Sequence, residues 1–156
     1  MVLKAISFAL IGVVNTAVDA VVFFLAYRLL MSSSLAAGAA AWVIGLCHCG
    51  TPETAILVAA NTFSWFIAVS GSYVMNSFTT FAAESGRKLR IGSYGMFLAS
   101  GMVGYVANTT TLVVVAQFLP VWMAKGCAIL ASFISNFSMS HFVVFRRRPP
   151  PVEDVR

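Results

Sequence analysis

The feature that most constrains this chain is the apolar stretch of residues 6–30, which carries Asn15 and Asp19 near its centre. A helix over this stretch is roughly 37 Å long at about 1.5 Å per residue, enough to cross a hydrocarbon layer of about 30 Å. Gly12, Asn15 and Asp19 recur at intervals of three and four residues and therefore share one helix face. The stretch predicts a membrane-spanning helix whose polar face turns toward other helices.

The whole chain has the composition of an integral membrane protein. Hydrophobic residues make up 60% of it and charged residues only 10%, whereas soluble domains carry about 25% charged residues. Apolar segments longer than the roughly 18 residues of a spanning helix are residues 6–30, 55–78, 93–119 and 122–145. We therefore predict an all-α integral membrane protein with one four-span helix bundle over residues 1–148, a disordered cytoplasmic tail over 149–156, and no separate soluble catalytic domain.

The basic residues predict how these spans cross the membrane. Of the 10 lysines and arginines, all except Arg28 and Lys125 lie on one side of a four-span bundle. Because basic residues favour the cytoplasmic side, both termini are expected there. The net charge of +5 does not indicate nucleic acid, since the cations lie in short loops where they contact anionic membrane lipids. The apolar connection 32–54 is too short for a fifth span, and we expect it to be interfacial or re-entrant.

Two weak internal repeats suggest how the spans are paired. An offset of 64 residues aligns Asn61 with Lys125, and an offset of 89 aligns Asp19 with Asn108. Both offsets superpose polar positions that lie inside apolar segments, as expected of a duplicated membrane unit. This favours two helical hairpins in the same orientation.

Polar side chains within the spans are the main candidates for function. Asn15, Asp19 and Asn108 need partners inside the bundle or a wet groove, because an unpaired polar group is costly in lipid. For the two asparagines, hydrogen bonding between helices is an equal alternative, whereas the ionisable Asp19 favours function. Lys125 is also hard to explain by packing, although it lies close enough to the end of a span to extend its ammonium outward.

The second and fourth spans also carry stripes of small and polar residues at steps of three and four. These stripes are Asn61, Ser64, Ala68, Ser72 and Asn76, and Lys125, Ala128, Ser132, Asn136 and Ser140. Small side chains allow helices to approach closely, which explains most members of both stripes.

The sequence offers little for metal binding or catalysis. Cys47, His48 and Cys49 are adjacent, but a structural zinc site needs a second ligand pair, for which only Cys127 is a candidate. We therefore predict no metal and no cofactor. A hydrolase triad, a glycine-rich phosphate loop and a paired-carboxylate site are not evident, so a self-sufficient enzyme is not expected.

Several runs of residues resemble the GtrA-like family of four-span membrane proteins. They are residues 8–19 (FALIGVVNTAVD), residues 72–76 leading to Thr80-Phe81, residues 97–108 (FLASGMVGYVAN), and Asn136-Phe137 leading to Val144-Phe145-Arg146. By resemblance, the family pattern falls on Gly12, Asn15, Asp19, Asn76, Phe81, Asn108, Lys125, Asn136 and Phe145. The chain departs from that pattern after Asn76, where Ser77 and Phe78 replace a basic residue and an aromatic one.

The resemblance implies a role in moving polyprenyl-phosphate-linked sugars across the bacterial inner membrane, for glycosylation of cell-envelope polysaccharide, together with a membrane glycosyltransferase. On that basis we interpret the chain as a flippase, in which Asp19 bonds sugar hydroxyls or carries a coupling proton. The expected substrate contacts are Asn15, Asp19, Arg28, Asn76, Asn108, Lys125 and Asn136. The expected cytoplasmic contacts, to the headgroup or to a partner, are Arg87, Lys88, Arg90, Arg146 and Arg147.

Two other functions remain open from the sequence. The chain is alternatively a non-transporting accessory subunit that recruits the glycosyltransferase through its basic loops. A small proton-coupled exporter of organic cations fits less well, because Arg28 and Lys125 repel a cation. Four short spans barely enclose a polar path, so we also expect a homo-oligomer, with a dimer favoured.

Overall fold

The computed structural model describes residues 2–48 and 50–139, and this part of the chain is helical without strands. The prediction of an all-helical membrane protein is confirmed. The helices are α1 (Val2–Ser32), α2 (Ser34–Cys47), α3 (Pro52–Phe78), α4 (Ala82–Ser85), α5 (Ile91–Val115) and α6 (Val121–Met139).

Three of the described helices are long and apolar enough to cross a membrane. They are Ala9–Ser32 within α1, the whole of α3, and the whole of α5. The fourth predicted span, 122–145, is described only as far as Met139, so its full length stays a prediction. The third span ends at Val115 rather than at residue 119, because the following residues form the turn that leads into α6.

The connection between α1 and α3 contains a helix that was not predicted as such. Ser33 caps the start of α2 by accepting a hydrogen bond from the backbone N–H of Ala36 (3.3 Å). The helix ends at His48, which adopts a left-handed conformation (φ 51°). With 14 residues, α2 is about 21 Å long and too short to cross the hydrocarbon core.

The long helices pack mainly in two pairs. α1 packs mainly against α3, and α5 packs mainly against α6. Hydrogen bonds at both ends fix the first pair: the Tyr27 hydroxyl donates to Glu53 (3.2 Å), and the hydroxyls of Ser7 and Thr80 lie 2.9 Å apart. α3 also contacts α5 and therefore links the two pairs.

A small apolar core is shared by all four long helices. Phe23 of α1 and Leu112 of α5 are completely buried. They pack with small side chains of the other two helices, which are Ala60, Ala124 and Ala128. Many larger apolar side chains face outward instead, as expected where the surrounding solvent is lipid.

Adjacent alanines on α3 provide a matched test of this packing. Ala60 is completely buried, whereas Ala59 is exposed. We expect Ala60→Leu to lower the free energy of unfolding by about 1–3 kcal/mol, because the added atoms overfill a tight core. Ala59→Leu should leave it nearly unchanged. Unfolding of both variants in detergent micelles measures the difference, and equal stability of the two would contradict this core.

Candidate functional site

The centre of the candidate site is the carboxylate of Asp19, in the middle of α1. One carboxylate oxygen, Oδ1, accepts a hydrogen bond from the hydroxyl of Ser64 on α3 (2.7 Å). The other, Oδ2, lies 2.7 Å from the ammonium of Lys125 on α6. Both oxygens of the carboxylate therefore have partners, contributed by two different helices.

Lys125 is the more deeply buried member of this ion pair. Its side chain is 1% exposed and that of Asp19 is 15% exposed. Besides Asp19, the ammonium donates to Oδ1 of Asn61 on α3 (2.8 Å) and lies 4.5 Å from the centre of the Phe23 ring. The lysine therefore does not extend outward from the end of its span; a carboxylate, an amide oxygen and an aromatic face hold its charge inside the protein.

Asn61 extends the network to a fourth helix. Its amide nitrogen donates to the hydroxyl of Thr109 on α5 (2.9 Å), while its amide oxygen accepts from Lys125. The amide thus uses its acceptor toward a cation and its donor toward a hydroxyl. The network of Asp19, Lys125, Asn61, Ser64 and Thr109, which we call the ion-pair network, joins α1, α3, α5 and α6.

Only part of this network was predicted from the sequence. Asp19 and Lys125 were predicted as candidates for function, whereas Asn61 and Ser64 were assigned to a packing stripe. The signal for Asn61 was the 64-residue offset, which aligns it with Lys125. In the structure these two side chains share a hydrogen bond.

Three asparagines carry buried amide oxygens that have no hydrogen-bond partner within the described residues. They are Asn15, Asn76 and Asn108. Asn15 lies one helical turn before Asp19, and Asn108 is the neighbour of Thr109. A buried acceptor without a hydrogen bond is energetically costly, so each of these oxygens is suited to accept one from a donor such as a hydroxyl group. The side chain of Asn136, another predicted contact, lies outside the described part of the chain.

The predicted cationic contacts fall into separate places. Arg28 is exposed near the end of α1. Lys88 and Arg90 line a cleft of about 310 Å³, together with Asn76, whereas Arg87 is exposed and does not line it. Arg146 and Arg147 lie outside the described residues. The structure therefore brings Lys125, but not these surface cations, to the ion-pair network.

The described residues do not group three or more His, Cys, Asp or Glu side chains in a way that could hold a metal ion. Cys47 is disulfide-bonded. A disulfide sulfur is not the thiolate that ligates a metal. The ion-pair network itself contains a single carboxylate, paired with a lysine, and offers hydrogen bonding and charge rather than metal chemistry.

These features define a multi-pass helical membrane protein with a charged network inside its helix bundle. Residues 53–145 match the family described as GtrA/DPMS, transmembrane domain. This match covers more than half of the chain, and the protein belongs to that family. Comparison with curated proteins finds no match, and comparison with solved structures finds none either.

Because the charges are buried, removing only one of them should lower the free energy of unfolding more than removing both. Lys125→Met leaves the Asp19 carboxylate buried without its counter-charge, and we expect a loss of about 3–5 kcal/mol in the free energy of unfolding. The double variant Asp19→Asn, Lys125→Met removes both charges and should lose less than Lys125→Met alone. Denaturant titration in micelles measures both losses.

The control is the same substitution at an exposed lysine, Lys88→Met, which should change the free energy of unfolding by less than about 1 kcal/mol. If Lys125→Met were as stable as Lys88→Met, the buried ion pair would have no part in holding the helices together.

Proposed function

We propose that this protein moves a polyprenyl-phosphate-linked sugar across the bacterial inner membrane. The observation that carries the proposal is the ion pair of Asp19 and Lys125, buried among helices that are otherwise apolar. Ionisable groups inside a membrane are costly to maintain and usually serve a substrate or ion path. The family relationship supports the same class of substrate.

The pair suits a substrate that is both anionic and rich in hydroxyl groups. A phosphate can take the place of the Asp19 carboxylate beside the Lys125 ammonium if Asp19 takes up a proton in the same step, so that the net charge inside the bundle is unchanged. The neutral Asp19 carboxyl group can then exchange hydrogen bonds with sugar hydroxyls. The oxygens of Asn15 and Asn108, which have no partner among the described residues, add two further acceptors inside the apolar helices, which lowers the cost of carrying hydroxyls through hydrocarbon.

The proposal includes four spans and both termini in the cytoplasm. The fourth span is the predicted one of residues 122–145, whose part after Met139 lies outside the described residues, and the loop with Arg87, Lys88 and Arg90 faces the cytoplasm. Arg28 lies toward the outer side, where it can meet a phosphate that leaves the network. A second copy of the chain, beside the outward-facing apolar surface, completes the enclosure of the path.

The proposal is tested by transbilayer movement of a lipid. Purified protein is reconstituted in liposomes with a polyprenyl-phosphate sugar, and the rate at which its headgroup becomes accessible from the opposite face is measured. Lys125→Gln and Asp19→Asn each remove a charge-assisted hydrogen bond worth about 1.5–3 kcal/mol, so we expect the rate to fall about 10- to 100-fold.

Thr16→Val is the matched control for these variants. Thr16 is exposed on α1 one turn before Asp19, and its hydroxyl bonds only to the helix backbone at Gly12 in the described residues (3.0 Å). This variant should transport at the wild-type rate. Correct folding of every variant is checked by its elution as a single species in detergent.

Two results would reject the proposal. If the folded wild type did not accelerate headgroup movement, the transport proposal would be wrong. The accessory role in recruiting a glycosyltransferase would then be favoured, because Arg87, Lys88 and Arg90 are exposed and available to a partner. If Asp19→Asn and Lys125→Gln both transported at the wild-type rate, the path would not pass through the ion-pair network. Export of organic cations is disfavoured because Lys125 already occupies the Asp19 carboxylate.

A further inference from the structure

A cleft with a few polar groups lies far from the ion-pair network, where α3 ends and α5 begins. Its volume is about 310 Å³, at the lower end of the range of about 300–1,000 Å³ for small-ligand sites. Tyr73, Asn76 and Ser77 form a buried floor, and the exposed Lys88 and Arg90 stand at its mouth. Along α3, Asn76 is 15 residues beyond Asn61, or about 22 Å. The cleft is therefore separate from the network.

The floor of the cleft contains a hydrogen-bond acceptor, the amide oxygen of Asn76, for which the described part of the chain supplies no donor. Asn76 is 3% exposed. Its amide nitrogen donates to the backbone oxygen of Ser72 (2.9 Å), which fixes the orientation of the amide. The amide oxygen has no partner within the described residues. Since buried acceptors are almost always paired, this oxygen is suited to a ligand that brings a hydroxyl or an N–H group.

The mouth of the cleft is suited to an anion. The Tyr73 hydroxyl accepts from the backbone N–H of Arg90 (3.0 Å) and donates to its carbonyl (2.9 Å), so the start of α5 is anchored to the cleft floor. Arg90 is the N-cap residue of α5, and its side chain makes no capping hydrogen bond. The first-turn N–H groups of a helix attract anions, and Lys88 and Arg90 add two positive charges.

We propose that this cleft binds a ligand in which a phosphate and a hydroxyl-bearing group are adjacent, with the phosphate at Lys88 and Arg90 and a hydroxyl donated to Asn76 Oδ1. The choice of a prenyl-phosphate sugar as that ligand rests on the proposed function. The cleft is then a loading site, where the headgroup binds before it reaches the ion-pair network. Its size accommodates a headgroup, while the prenyl chain remains in lipid.

Binding to the purified protein in nanodiscs, measured by calorimetry, tests this site without any transport step. The probes are farnesyl-phosphate glucose and farnesyl phosphate; the second lacks the sugar and carries one more ionisable oxygen on its phosphate, so each variant is compared with the wild type for the same probe. The double variant Lys88→Gln, Arg90→Gln should weaken binding of both probes about 10- to 100-fold, because two charge-assisted contacts to phosphate are lost. Asn76→Leu should weaken only the glucose-bearing probe, by about tenfold.

Arg87→Gln is the matched control, because Arg87 lies in the same loop and has the same charge as Arg90 but does not line the cleft. It should bind both probes as the wild type does. Unchanged binding of farnesyl phosphate to Asn76→Leu shows that this variant keeps the cleft intact. If Arg87→Gln weakened binding as much as the double variant, general surface charge rather than the cleft would be responsible, and the proposal would be wrong.

Competitors distinguish the sources of the phosphate. Inorganic phosphate and phosphatidylglycerol should each displace farnesyl-phosphate glucose at least about tenfold less well than unlabelled probe does. Displacement by phosphatidylglycerol at equal concentration would make the cleft a general lipid site and would overturn the sugar-phosphate ligand. Equal displacement by inorganic phosphate would likewise overturn any contribution from the hydroxyl-bearing group.

The cleft and the transport proposal fail in different ways. If the wild type binds farnesyl-phosphate glucose in the cleft but does not accelerate headgroup movement, the binding site is supported and the flippase function is rejected. If the wild type transports but the cleft variants bind as the wild type does, the flippase function is supported and the loading site is rejected.

Discussion

The ammonium of Lys125 depends on the Asp19 carboxylate, and the arrangement of the helices depends on that pair. A lysine that is 1% exposed among apolar helices is tolerated only with a counter-charge and further hydrogen bonds. Asp19 supplies the charge from α1, and Asn61 supplies an acceptor from α3. Because α6 packs mainly against α5, this long side chain ties it to the α1 and α3 pair at a fixed depth. Small residues such as Ala60 and Ala124 let the helices come close enough for these contacts.

Hydrophobicity alone predicted much of the fold. The spans of α1 and α3 were predicted because both are long apolar segments. The transfer of such a segment into lipid as a helix is favourable wherever it occurs in the chain. The end of α5 was misjudged since Gln117 and Phe118 form a turn within a stretch that still contains apolar residues. The helix α2 was not predicted because its caps at Ser33 and His48 are local signals, weaker than the apolar pattern around them.

The candidate site was predicted less completely, for a different physical reason. Asp19 and Lys125 were recognisable singly, because an ionisable group in an apolar segment is expensive wherever its partner lies. Their pairing is a contact between the first and the last long helix, and no local pattern encodes it. Asn61 and Ser64 looked like packing residues because their size suits a close helix contact as well as a hydrogen bond. Nor could the sequence separate Arg87 from its neighbours Lys88 and Arg90, since only the folded cleft distinguishes the cations that line it.

A paired lysine is better suited to an anionic substrate than a lone one is. A lone ammonium at this position would be a buried charge without a partner, which is costly in a medium of low polarity. The Asp19 carboxylate balances the charge of the ammonium, and in the proposed function a phosphate would take its place without changing the net charge of the interior if Asp19 were protonated in the same step. Such an exchange avoids the largest electrostatic cost of bringing a phosphate into a membrane, which is an uncompensated buried charge. In the proposed function, the amide oxygens of Asn15 and Asn108 would extend the same reasoning to neutral groups, because an amide oxygen can accept a hydrogen bond from a hydroxyl but does not attract an anion. The ion pair would then select for the phosphate, and the asparagines for the sugar that the phosphate carries.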